Sequence, residues 1–231
     1  MKMRHFLPAI LMTLSFGYTS TTLAQDDKDR IAELKQQILD ISRTAQGEYD
    51  GDDNDPTVRA KLDPLVNELV TLVPARTETE KLSQVVGAWQ QVWADGPGGG
   101  PPGSGGALGS AVFQVVFPDG YYWNVAKNRI AGAESMGFLR GKFEIDVGKL
   151  NIEFTKSVGA PGWVATGTES YMLAMRAEVG EYDAVPTPGP IGKKGFLANT
   201  YVDEDIRICT GGGDDFGPGT YLYVLERKSQ F

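Results

Sequence analysis

The sequence predicts a mainly β protein: an antiparallel sheet closed into a barrel or folded as a sandwich, preceded by a helical pair. Three observations carry this expectation. Apolar residues recur at three- and four-residue steps ahead of Pro74. From Val85 onward, short apolar or alternating segments are separated by Gly- and Pro-rich turns. No segment of helical period is interleaved among them, so a parallel sheet with crossover helices is not expected.

The chain opens on Met1-Lys-Met-Arg-His5, followed by a mostly apolar run from Phe6 to Phe16 and small residues up to Thr22-Leu-Ala24. This is the pattern of a secretory signal peptide with cleavage after Ala24, and its apolar core is too short to span a bilayer as a helix. The expected organisation is therefore a leader at 1–24, a helical hairpin at 25–80 and a β domain at 81–231, with a periplasmic or secreted location and no stable transmembrane span after cleavage.

Ile31, Leu34, Ile38 and Ile41 define the apolar stripe of the first helix, with charged residues between them. The loop Gly47-Glu-Tyr-Asp-Gly-Asp-Asp-Asn54 is acidic, yet an EF-hand loop starting at Asp50 needs Gly at its sixth position and Glu at its twelfth. Those places hold Asp55 and Lys61, so the loop is read as solvated. Asp55-Pro56 is a helix start, an N-cap followed by proline at the first helical position. Val58, Leu62, Leu65, Leu69 and Val73 continue the stripe, with Asp63-Pro64 a place for a kink or restart.

Val85 to Trp93 reads as the opening strand, with Trp89, Gln91 and Trp93 on one face. The low-complexity Gly96–Gly106 stretch is a linker; no Lys-Ser/Thr follows it, so it is not a phosphate cradle. Ala111–Phe117 and Tyr121–Ala126 flank Pro118-Asp-Gly120, a hairpin signal. Phe138–Ile145 and Leu150–Phe154 flank a turn at Val147-Gly148, and Trp163–Ala165 and Tyr171–Met175 are short strands or loop. After the Pro-rich Pro186–Pro190, Asn199–Thr210 reads as one strand, with Val202, Ile206 and Ile208 opposite Tyr201, Asp203, Asp205, Arg207 and Cys209. A Gly/Asp turn leads to the last strand, Gly219–Arg227.

Composition excludes several chemistries. His5 is the only histidine and Cys209 the only cysteine. Beyond the leader no Ser-His or Cys-His pair and no Cys/His zinc site can be assembled. No cofactor is expected, and only a carboxylate mechanism would remain for an enzyme. The formal charge of −8 becomes more negative once Lys2 and Arg4 leave, so nucleic acid and anionic membranes are not expected partners. A lone cysteine gives no intramolecular disulfide, and Cys209 is read as a packed thiol. The oligomeric state is not written in the sequence.

Thr200-Tyr-Val-Asp-Glu-Asp-Ile-Arg-Ile208, a Gly-rich turn and Tyr221-Leu-Tyr-Val-Leu225 together resemble the C-terminal signature of the plastid-lipid-associated (PAP/fibrillin) proteins. The Gly87-Ala-Trp89 strand with Trp93 is similar to that family's opening strand, and the order of elements agrees from Arg30 to Arg227. The leader and the long Gly-rich insertions depart from the plastid members. The resemblance implies a lipocalin-like barrel and non-catalytic binding of an apolar small molecule: an isoprenoid, quinone, carotenoid or other lipid.

On that reading Trp89, Trp93, Tyr121, Trp123, Phe143 and Phe154 are candidate cavity walls, although taken one by one each is more readily explained as a side chain that fills the core. The family comparison favours a cluster in which Arg207 pairs with Asp203 and Tyr201 offers its hydroxyl to a ligand. The alternatives are an interior ion pair fixing the closure of the barrel or a surface pair. A scaffold module with a solid core is the competing function.

Overall fold

The computed structural model describes residues 24–47, 56–95, 111–130, 133–161, 185–214 and 220–228. The expected leader, save Ala24, the acidic loop after Gly47, the Gly96–Gly106 stretch and the segments Trp163–Ala165 and Tyr171–Met175 lie outside the described residues.

Two amphipathic helices come first, α1 (Gln25–Gly47) and α2 (Pro56–Thr71), the second running through Pro64 without ending there. A third, α3 (Glu78–Val85), has no counterpart in the sequence reading; it ends on Val85, the expected start of the first strand, which instead begins at Gly87. Its cause is local: the Thr77 hydroxyl accepts from the Glu80 backbone N–H while the Glu80 carboxylate accepts from the Thr77 N–H, a capping box.

The strands are β1 (Gly87–Ala94), β2 (Ala111–Val116), β3 (Tyr121–Ile130), β4 (Ala133–Asp146) and β5 (Lys149–Pro161), followed by a two-residue β6 (Val185–Pro186). The chain ends on β7 (Lys194–Val202), β8 (Ile206–Gly213) and β9 (Tyr221–Arg227). Among the described residues every pairing is antiparallel. The order β4-β3-β2-β1-β9-β8-β7-β5, with β4 also paired to β5, makes one sheet that closes in a ring; β6 pairs to the side of β5. Gly120, at φ 87°, allows the β2–β3 hairpin foreseen at Pro118-Asp-Gly120.

Two readings of strand parity are corrected. Asn199–Thr210 is not one strand but a tight hairpin, β7 and β8, reversing at Asp203-Glu204-Asp205. The Asp203 carboxylate holds the reversal by accepting from the backbone N–H groups of Asp205 and Ile206 at 2.8 and 3.0 Å. With a bulge between Asn199 and Tyr201, this separates residues that simple alternation placed together. Val202 packs inside the ring, whereas Ile206 and Ile208 pack outside against the helices. In β1 a second bulge between Gln91 and Trp93 turns Trp93 away from the Trp89–Gln91 face and into the same helical layer.

Burial follows from this topology. Leu34 and Ile38 of α1 and Leu62 and Leu69 of α2, all fully buried, cover Trp93, Tyr201, Ile206, Ile208, Leu222 and Val224 on the outer face of β1, β7, β8 and β9. Trp89, Tyr122, Phe143, Ile152, Phe154, Leu197, Val202 and Leu225 pack inside the ring. Phe113, Val115, Trp123, Val125, Met136, Phe138 and Val158 form a third buried cluster on the opposite face of β2–β5.

Candidate functional site

Inside the ring lies a cavity of about 450 Å³, within the range of small-molecule sites. Apolar Val112, Leu139, Ile152, Phe154 and Phe196 line it, together with Gln91, Gln114, Tyr122, Asn124, Ser157 and Tyr223. Thr187-Pro-Gly-Pro190 contributes one rim. Ser157 holds that segment, with its hydroxyl 2.9 Å from the Thr187 hydroxyl and donating to the Pro188 carbonyl at 3.3 Å.

The register explains the composition of the wall. Gln114 faces Asn124 across β2–β3, and Val116 faces Tyr122, so their side chains share the inward face. Gly141 sits beneath Tyr122; a Cβ there would come within 2.6 Å of the ring. The Tyr122 hydroxyl accepts from Asn124 Nδ2 at 2.6 Å, and burial pushes its pKa well up, so the phenol stays neutral.

α3 packs against the interior cluster through Val85 and Leu82. Trp89 donates from Nε1 to the Val85 carbonyl at 2.8 Å and lies under the Arg227 guanidinium, 4.1 Å from the ring centroid. Arg227 donates in turn to the carbonyls of Gln84, Val86 and Glu204. Deeper in, fully buried Arg207 donates from Nε to Asn199 Oδ1 at 2.6 Å and from Nη1 to Gln114 Oε1 at 3.1 Å. Its Nη2 has no hydrogen-bond partner among the described residues. Asn199 donates from Nδ2 to Glu78 Oε2 at 2.5 Å and from its backbone N–H to Oε1 at 3.1 Å. Lys81 lies 3.3 Å from Glu78 Oε1 and donates to the Asn199 carbonyl.

The nine residues singled out from sequence therefore separate. Phe154 lines the cavity. Trp89, Phe143 and Arg207 are inside the ring without lining it. Trp93 and Tyr201 pack under the helices. Trp123 belongs to the opposite outer cluster, edge-on to Phe138 at 6.3 Å, and half-exposed Tyr121 lies beneath Arg140.

The expected Arg207–Asp203 pair does not form. Asp203 instead meets Lys35 of α1 at 2.6 Å and accepts from the Tyr201 hydroxyl at 2.8 Å. Burial acts to raise the Asp203 pKa, but Lys35, the two backbone N–H donors and Tyr201 outweigh it and hold the carboxyl below its ordinary value. Tyr201 is raised by burial and by the Asp203 charge. Cys209 is a buried free thiol, its pKa raised chiefly by that burial.

Reading the sequence missed Gln91, Gln114, Tyr122 and Asn124. A signal existed for Gln114, the one polar side chain in the apolar run Ala111–Phe117. Among the described residues no group of His, Cys, Asp and Glu could hold a metal ion, and no helix is long and apolar enough to cross a membrane.

The family model described as PAP_fibrillin matches residues 32–216, spanning α1 through β8. Among curated proteins, none is similar enough to be matched.

Proposed function

Because the chain belongs to the PAP_fibrillin family, we propose that it binds and carries an apolar small molecule without transforming it. The family's association with lipids and isoprenoids supports the ligand class inferred here: an isoprenoid, quinone, carotenoid or other lipid. The cavity of about 450 Å³ within the closed sheet carries this reading, since a scaffold with a solid core would have no use for it. Its wall has the composition of a binding site, mostly apolar with a few placed neutral polar groups. The leader-like pattern at 1–24 supports a periplasmic or secreted setting for this activity.

The test is native mass spectrometry of protein taken from its own host, with organic extraction of whatever is bound. A stoichiometric apolar molecule is expected. Leu139→Trp, which fills part of the cavity, should lower its occupancy by at least ten-fold while leaving the circular dichroism unchanged. A ligand-free mass, together with no tryptophan-fluorescence response to quinones, carotenoids or fatty acids, would return the protein to the scaffold reading.

A further inference from the structure

We infer that the cavity selects an amphiphile with a single carboxylate head, seated at Gln114 and Arg207 with its apolar tail along Ile152, Phe154 and Leu139. This rests on the ligand-binding reading above and specifies its ligand. The argument begins with an imbalance of charge. Arg207 has no exposed surface, and its two partners, Asn199 Oδ1 and Gln114 Oε1, are neutral amides. Its Nη2 is left with no partner among the described residues. A buried cation ordinarily meets a carboxylate directly, because its loss of hydration is otherwise poorly compensated.

Glu78 does not supply that counter-charge. Its Oε1 accepts from the Asn199 backbone and faces Lys81, and its Oε2 accepts from the Asn199 side chain. Lys81 matches the charge of Glu78, so the Arg207–Asn199–Glu78–Lys81 chain carries one positive charge in excess. That excess sits on the cavity side, since Gln114 is at once the acceptor of Arg207 and part of the cavity wall. Among the described residues no lining side chain is charged, and Arg207, bonded to the lining Gln114, is the formal charge whose field reaches the cavity through low-dielectric protein, where it is little screened.

A carboxylate oxygen taking the place of Gln114 Oε1 would receive the guanidinium and release the Gln114 amide to donate as well. Tyr122 adds a neutral donor: its oxygen already accepts from Asn124, leaving its own proton for an acceptor on the ligand. The opposite wall offers apolar surface for a chain.

The experiment uses the full chain at pH 7 and measures displacement of the neutral dye Nile red by lauric acid, methyl laurate and dodecanol. Laurate is expected to bind at least ten-fold more tightly than its methyl ester. Arg207→Gln should abolish that advantage while dodecanol binds as before, and Arg207→Lys should retain part of it. If Arg207→Gln does not fold, the wild-type acid-to-ester ratio decides alone. Equal binding of acid and ester overturns the head-group inference and leaves the apolar binder standing. So does an acid preference that survives in a folded Arg207→Gln protein. Failure of the dye and all three compounds to bind overturns the binding reading itself.

Discussion

Asn199 is where single-residue effects should be largest. It bonds both a buried guanidinium and a buried carboxylate, so Asn199→Leu takes a partner from two charged groups at once. A loss of about 3–5 kcal/mol in urea unfolding is expected, the scale for breaking a buried charged contact. Thr77→Ala, which removes one half of the α3 capping box, should cost only ~1 kcal/mol. Asp203 links stability to pH. Its folded pKa lies below the ordinary 3.8, so its contribution is present above that value and disappears as pH falls through the folded pKa. The stability gap between wild type and Asp203→Asn should be constant near neutrality and close in strong acid. A gap that instead opened on acidification would contradict the Lys35–Asp203 contact.

Among the elements, the helical layer shows which interactions decide. Lys35, Arg43 and Arg59 bridge from α1 and α2 to Asp203, Glu226 and Asp95 at 2.6 Å each. These half-exposed pairs set the register of the helices on the sheet, yet Arg43→Ala should change stability by no more than about 1 kcal/mol. Leu62→Ala opens a void among fully buried side chains and should cost about 2–5 kcal/mol. Comparable losses from the two substitutions, measured by urea denaturation, would mean that charge rather than packing holds the layer. The helices themselves were legible, because Leu34, Ile38, Leu62 and Leu69 recur with the helical period. The third helix was not read, although Thr77 and Glu80 carry its signature. The bulges in β1 and β7 left no comparable mark. They redirect Trp93 and Tyr201 through pairing with β9 and β8, partners distant from β1 or indistinguishable from a continuous strand in β7.

For the molecule as a whole, a mainly β fold with an N-terminal helical pair could be read from the order of periodic segments, and the family resemblance supplied the barrel. The inward face could not be read. Alternation says that Tyr122 and Trp123 point oppositely, but only the closed pairing of β4 with β5 decides which of them sees the interior. Sequence alone therefore makes Trp123 as plausible a wall as Tyr122, whereas the structure turns Tyr122 inward.

The same closure governs how the chain can fold. The opening strand of the ring, β1, finds its second neighbour only in β9, the last element of the sheet. Until Tyr221–Arg227 emerges and docks, β1 and β8 each present an unpaired edge to any other chain in the same condition. A chain ending before Tyr221 should therefore scatter light on refolding at concentrations where the full chain stays clear. Completion of the last strand is thus the step that separates a solitary molecule from a template for its own aggregation.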